Sequence, residues 1–130
     1  MYVRMKKIVG GAALSLALLV NSAPTWAGAV RHDEVGISND QAWGAVSAAR
    51  YSSDKKQYIG CIITASASAT RAACFAADKN GTTLTCSTTN PRLTETVRAI
   101  TNYSYLYFYT QPGSSECSNV ELFNYSTGLK

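Results

Sequence analysis

Arg71-Ala-Ala-Cys-Phe-Ala-Ala-Asp78-Lys79-Asn80-Gly81-Thr-Thr-Leu-Thr-Cys-Ser87 reads as two short strands joined by a turn, with one cysteine on each arm. Asp78 suits the first position of a type I turn, Asn80 the third, and Gly81 the following position, which needs positive φ. In that register Asp78 faces Thr82, and counting outward sets Cys74 opposite Cys86. Directly opposed residues stand close enough to bridge. A plain two-residue Asn-Gly turn would slip the pairing by one and send the cysteines to opposite faces. The hairpin therefore argues for Cys74–Cys86, which leaves Cys61–Cys117 as the second bridge. Cys61–Cys74 with Cys86–Cys117, joining neighbouring strands, is the alternative.

Outward from this hairpin the chain alternates strand and turn. Upstream, Tyr58–Thr64 is β-branched and aromatic, Ser52–Lys56 is a polar turn, and Ala42–Tyr51 reads as one further strand. Downstream, Asn90-Pro91 opens a helix, since asparagine caps and proline fits the first helical position. Leu93, Val97 and Ile100 follow on its apolar side, and Arg92, Glu95 and Arg98 on its solvated side. Tyr103–Thr110 and Cys117–Tyr125 then form a last strand pair around Pro112-Gly113. The order β-β-β-β-α-β-β implies an α+β fold: a mostly antiparallel sheet, one helix packed on a face, two disulfides. Residues 41–130 make a single domain, and 28–40, polar and without period, a flexible arm.

The N-terminus implies export. Arg4, Lys6 and Lys7 precede Ile8–Val20, a run without charge, and Pro24 and small residues follow. That order is a signal peptide's. The apolar run would span only about 20 Å as a helix, short of a bilayer core of roughly 30 Å. Residues 1–27 read as the leader, cleaved after Ala27 or after Ala29. The whole chain holds 12 Lys+Arg and 8 Asp+Glu, and the leader takes three of the basic residues and no acidic one. The mature part is left near neutral, with no basic stripe for nucleic acid and no membrane insertion once the leader is gone. An even set of 4 cysteines in an exported chain reads as disulfides of the periplasm or extracellular space. Their spacing lacks the close C-x-x-C pairs of a zinc site.

The candidate binding residues are Tyr103, Tyr105, Tyr107 and Tyr109. Period-two alternation puts them on one strand face, with Leu106 and Phe108 on the other. An exposed tyrosine ladder would suit sugars, peptides or protein surfaces. A buried one would simply pack against cross-strand neighbours, tyrosine being a good strand former. His32 is the only histidine; cleavage after Ala29 would make Val30-Arg31-His32 a square-planar Cu(II) or Ni(II) site, and cleavage after Ala27 leaves no metal site. Among the carboxylates, turns and helix pairs account for most, and Glu121 alone has no such explanation. No nucleophile elbow, phosphate loop or dinucleotide fingerprint is present, so no catalytic residue and no cofactor is expected.

Gln57-Tyr-Ile-Gly-Cys61, Cys86, the Asn90-Pro91 helix start, Tyr105-Leu-Tyr-Phe108 and Cys117 together resemble a loose group of short exported bacterial proteins of unknown function. The likeness covers about residues 57–125 and implies bacterial export and the fold, but no site. The expected role is a non-catalytic binding module whose partner is an extracellular protein or a polysaccharide. The alternative is a stapled inhibitor or immunity-type protein acting on an extracellular enzyme through loop 65–70 or 111–116.

Overall fold

The structure, a computed structural model, describes residues 34–124; the leader, His32 and the first part of the arm lie outside them. The elements in chain order are β1 (Gly36–Ser38), β2 (Gln41–Ala45), α1 (Val46–Arg50), β3 (Tyr58–Ala65), β4 (Thr70–Ala77), β5 (Thr83–Thr88), α2 (Pro91–Arg98), β6 (Tyr105–Thr110) and β7 (Cys117–Phe123). The strands pair antiparallel in two sheets, β1-β2-β6-β7 and β3-β4-β5, rather than in one.

The β4–β5 hairpin closes as its turn residues dictate. Asp78 N donates to Thr82 O at 3.0 Å and Gly81 N to Asp78 O at 3.0 Å. The Asp78 carboxylate accepts from Asn80 N and Thr82 N, both at 2.9 Å. Gly81 takes φ +82, a conformation that costs glycine little. The register sets Cys74 opposite Cys86, as the turn requires.

The disulfides nevertheless form as Cys61–Cys74 and Cys86–Cys117, which corrects the pairing drawn from the hairpin. β4 is the central strand, so Cys74 is directly opposed on both sides, by Cys86 and by Cys61. Opposition alone could not choose between them. Cys117 does choose: Ser87 N donates to Ser115 O at 2.9 Å, which brings the β6–β7 loop beside β5. Cys61 lies on the far side of the sheet, two strand spacings or about 10 Å from Cys86, beyond the reach of a bridge from that flank. A β-bulge completes the arrangement. Tyr109 pairs with Asn119 but Thr110 pairs with Cys117, so Ser118 is extra and Cys117 turns to the inner face.

The inner faces of both sheets share one core. Ile59, Ala72, Cys74, Ala76 and Cys86 come from β3–β5, and Ala42, Leu106, Phe108 and Val120 from β2, β6 and β7. Helix α2 packs against β3 and β4 and against β7. Its cap is the expected one: Arg92 N donates to Asn90 Oδ1 at 2.9 Å, with Pro91 at the helix start. Val97 is buried, Leu93 and Ile100 pack on the core, and Arg98 pairs with Glu95 at 3.5 Å.

Two further readings need correction. Ala42–Tyr51 is not one strand: β2 ends at Ala45, opposite Tyr105, where β6 begins. The ladder closes with Val46 N donating to Ser104 O at 3.1 Å, and the Val-Ser-Ala-Ala-Arg run becomes α1. The arm is also not loose over its described part. Val35 is buried and donates to Gln57 Oε1 at 2.8 Å, and residues 36–38 pair with β2.

Candidate functional site

β6 carries its side chains alternately to the two faces of its sheet. Leu106 and Phe108 are fully buried, while Tyr107 and Tyr109 are half-buried on the outer side. Tyr105 shares that side but is only 5 % exposed, and Tyr103 precedes the strand and is 52 % exposed. The structure therefore brings three of the four tyrosines onto one face.

The register extends this face across all four strands. Tyr107 stands between Trp43 and Glu121, Tyr109 between Gln41 and Asn119, and Tyr105 between Ala45 and Phe123. The rings form a contiguous group with Tyr107 at its centre. Trp43 lies 6.3 Å away at 23°, Tyr109 6.4 Å away at 15°, Tyr105 5.5 Å away at 40°, and Phe123 5.9 Å away, edge-on at 73°. Such centroid distances are those of favourable aromatic pairs. Trp43 also covers Gly36, its partner on β1, where a Cβ would overlap the indole.

Polar groups border the rings. Asn119 Nδ2 donates to Glu121 Oε1 at 3.3 Å, which holds the carboxylate on the outer face beside Tyr107. The Tyr109 hydroxyl has its pKa raised, first by burial and then by the charge of Glu121, so it stays a proton donor well into the alkaline range. Beyond Tyr109 a concavity of about 270 Å³ opens between the β1–β2 turn and the β6–β7 loop, lined by Ser38, Asp40, Gln41, Tyr109, Pro112 and Ser118. An apolar platform thus runs into a small polar shelf.

Sequence reasoning missed Trp43 and Phe123 as members of this group. Pairing partners decide them, and β2–β6 adjacency joins segments far apart in the chain. Several of the other described carboxylates have partners of their own. Asp78 closes its turn, Glu34 pairs with Lys79 at 2.9 Å, and Asp40 accepts from Thr110 Oγ1 at 3.4 Å. Asp54 accepts from Lys56 N at 2.7 Å and from Gln57 Nε2 at 2.6 Å. Among the described residues no helix is long and apolar enough to cross a membrane. Two disulfides are those of an oxidising, extracellular-type environment. Compared with known proteins, the chain matches no family model, and neither a curated protein nor a solved structure matches it at a significant level.

Proposed function

We propose that this protein is a non-catalytic binding module of the periplasm or extracellular space, and that the outer face of the β1-β2-β6-β7 sheet takes a polysaccharide chain. The observation that carries the reading is the row of Trp43, Tyr107 and Tyr109, close to parallel and bordered by Gln41, Asn119 and Glu121. Aromatic rings offer apolar surface to the C–H side of a sugar, and the border offers donors and acceptors to its hydroxyls. The compartment rests on the leader-like segment 1–27 and the two disulfides.

Affinity electrophoresis of the chain from Gly28 through gels containing cell-wall or capsular polysaccharide tests this. Tyr109→Ala should weaken retention about tenfold, because it removes a ring and its hydroxyl at the shelf. Among the described residues Tyr109 meets one other ring, Tyr107, so the fold should survive the change. Retention equal to the parent's rejects the reading.

One observation favours the inhibitor alternative. Loop 111–116 is closed by Gln111 N to Glu116 O at 2.9 Å and adjoins bridged Cys117. A loop so constrained loses little entropy on binding. Capture of one stoichiometric enzyme from culture fluid, without polysaccharide retention, would select that alternative.

A further inference from the structure

The second sheet has an outer face of its own, on different strands from the aromatic row. Ala73 forms its floor, opposed by Ile62 on β3 and Ser87 on β5. Arg71 and Phe75 flank Ala73 on β4 and share its side by period two. Ser115, brought to β5 by the Ser87 backbone bond, forms a wall. These residues enclose an open cradle of about 400 Å³, the size of a small-ligand site. Ile62 is 55 % exposed there, a large apolar side chain left in solvent at the centre of a strand.

Charge and hydrogen bonding identify the occupant. Among the described residues Arg71 makes no ion pair with a carboxylate, and its one side-chain bond runs from Nη2 to Ser87 Oγ at 2.7 Å. That bond fixes the guanidinium at one end of the cradle and uses one of its five donors. Ser87, acting as acceptor, keeps its own hydroxyl hydrogen for a ligand beside Arg71. One fixed cation and a neighbouring hydroxyl match a monoanion with planar oxygens. At the other end Phe75 lies four residues along the strand, about 13 Å away, with Ile62 between. From this arrangement we propose that the cradle binds a small amphiphilic carboxylate, its carboxylate on Arg71 and Ser87 and its apolar body over Ala73 against Ile62 and Phe75.

The test is an amide and methyl NMR titration of the chain from Gly28 with 4-phenylbutanoate, with 4-phenylbutan-1-ol and 4-phenylbutylammonium run beside it. The carboxylate should give saturable shifts at Ala73, Phe75 and Ser87, and the alcohol should bind about tenfold more weakly. Arg71→Gln should bring the carboxylate down to the alcohol's affinity without lowering the melting temperature, since Arg71 is exposed. Polysaccharide retention should be untouched, so this site and the aromatic face fail separately. Equal binding of all three probes, no binding, unchanged binding by Arg71→Gln, or shifts centred on Trp43 and Tyr107 would each overturn the assignment. So would shifts on this face that appear on concentrating the protein alone, which would make it a contact between copies.

Discussion

At the scale of single residues, Gly36 and Asp54 show how much of this surface rests on small choices. A methyl group at Gly36 would overlap Trp43 Cε2 and Cζ2, and the indole cannot move without disturbing its stack on Tyr107, 6.3 Å away. Gly36→Ala should cost about 1–3 kcal/mol as an overpacked contact. In the chain from Gly28, Trp43 is the only tryptophan, so its emission reports the displacement directly while urea unfolding gives the energy. An unchanged spectrum and midpoint would mean that the indole swings clear at no cost. Asp54 acts at a distance through Gln57. Its pKa is lowered from 3.8 to about 2, first by the Gln57 side chain and then by the Lys56 N–H. Gln57 in turn accepts Val35 N at 2.8 Å, so the carboxylate anchors the strand that enters β1. A carboxyl with a lowered folded-state pKa stabilises fully above its unfolded value and loses that contribution as pH falls through its folded one. Asp54→Asn should therefore melt below the parent at about pH 5, with the gap closing by about pH 2. A gap independent of pH would place the anchoring elsewhere.

At the scale of elements, local chemistry succeeded wherever it was sufficient. The Asp78–Gly81 turn set its own register, and Asn90-Pro91 started α2 where a cap and a first-position proline belong. Replacing Asn90 by alanine should lower stability by about 1 kcal/mol in urea unfolding, the cost of one lost cap. A loss below a few tenths would mean that Thr88 Oγ1, which accepts Asn90 N at 3.0 Å, holds the helix start by itself. What sequence could not show was set by partners. β1 is three residues long and too short for a period, and α1 begins where the β2–β6 ladder ends. Cys117 reaches the core only through the Ser118 bulge. The tyrosine row was legible as a face, but Trp43 and Phe123 join it through pairing alone. The cysteines illustrate the same limit and permit a test. The sulfurs of Cys74, Cys86 and Cys117 lie within 4.8 Å of one another. Cys61→Ser leaves the Cys74 thiol against the Cys86–Cys117 bond, so thiol–disulfide exchange should yield a fraction bridged Cys74–Cys86 or Cys74–Cys117. Peptide mapping without reductant detects it; Cys86–Cys117 alone would show that β4 holds Cys74 out of line for attack.

At the scale of the whole molecule, the two disulfides do different work. Cys61–Cys74 joins strands that already pair in one sheet, whereas Cys86–Cys117 is the covalent link between β5 of one sheet and β7 of the other. It also fixes the β6–β7 loop whose Ser115 walls the cradle and whose Pro112 borders the shelf, so one bond serves both outer faces. The loops closed are 13 and 31 residues long, and on chain entropy the longer one stabilises by about 0.8 kcal/mol more. Because the sheets meet through one shared core, removing their link should also loosen the coupling between them. The Cys86→Ala, Cys117→Ala pair of substitutions should thus fall further in urea midpoint than Cys61→Ala with Cys74→Ala. It alone should broaden the transition and separate the Trp43 signal, which reports the first sheet, from the far-ultraviolet signal of the whole. Equal losses with coincident, sharp transitions in both double variants would mean that core packing, without the cross-sheet bond, is enough to make the two sheets fold as one.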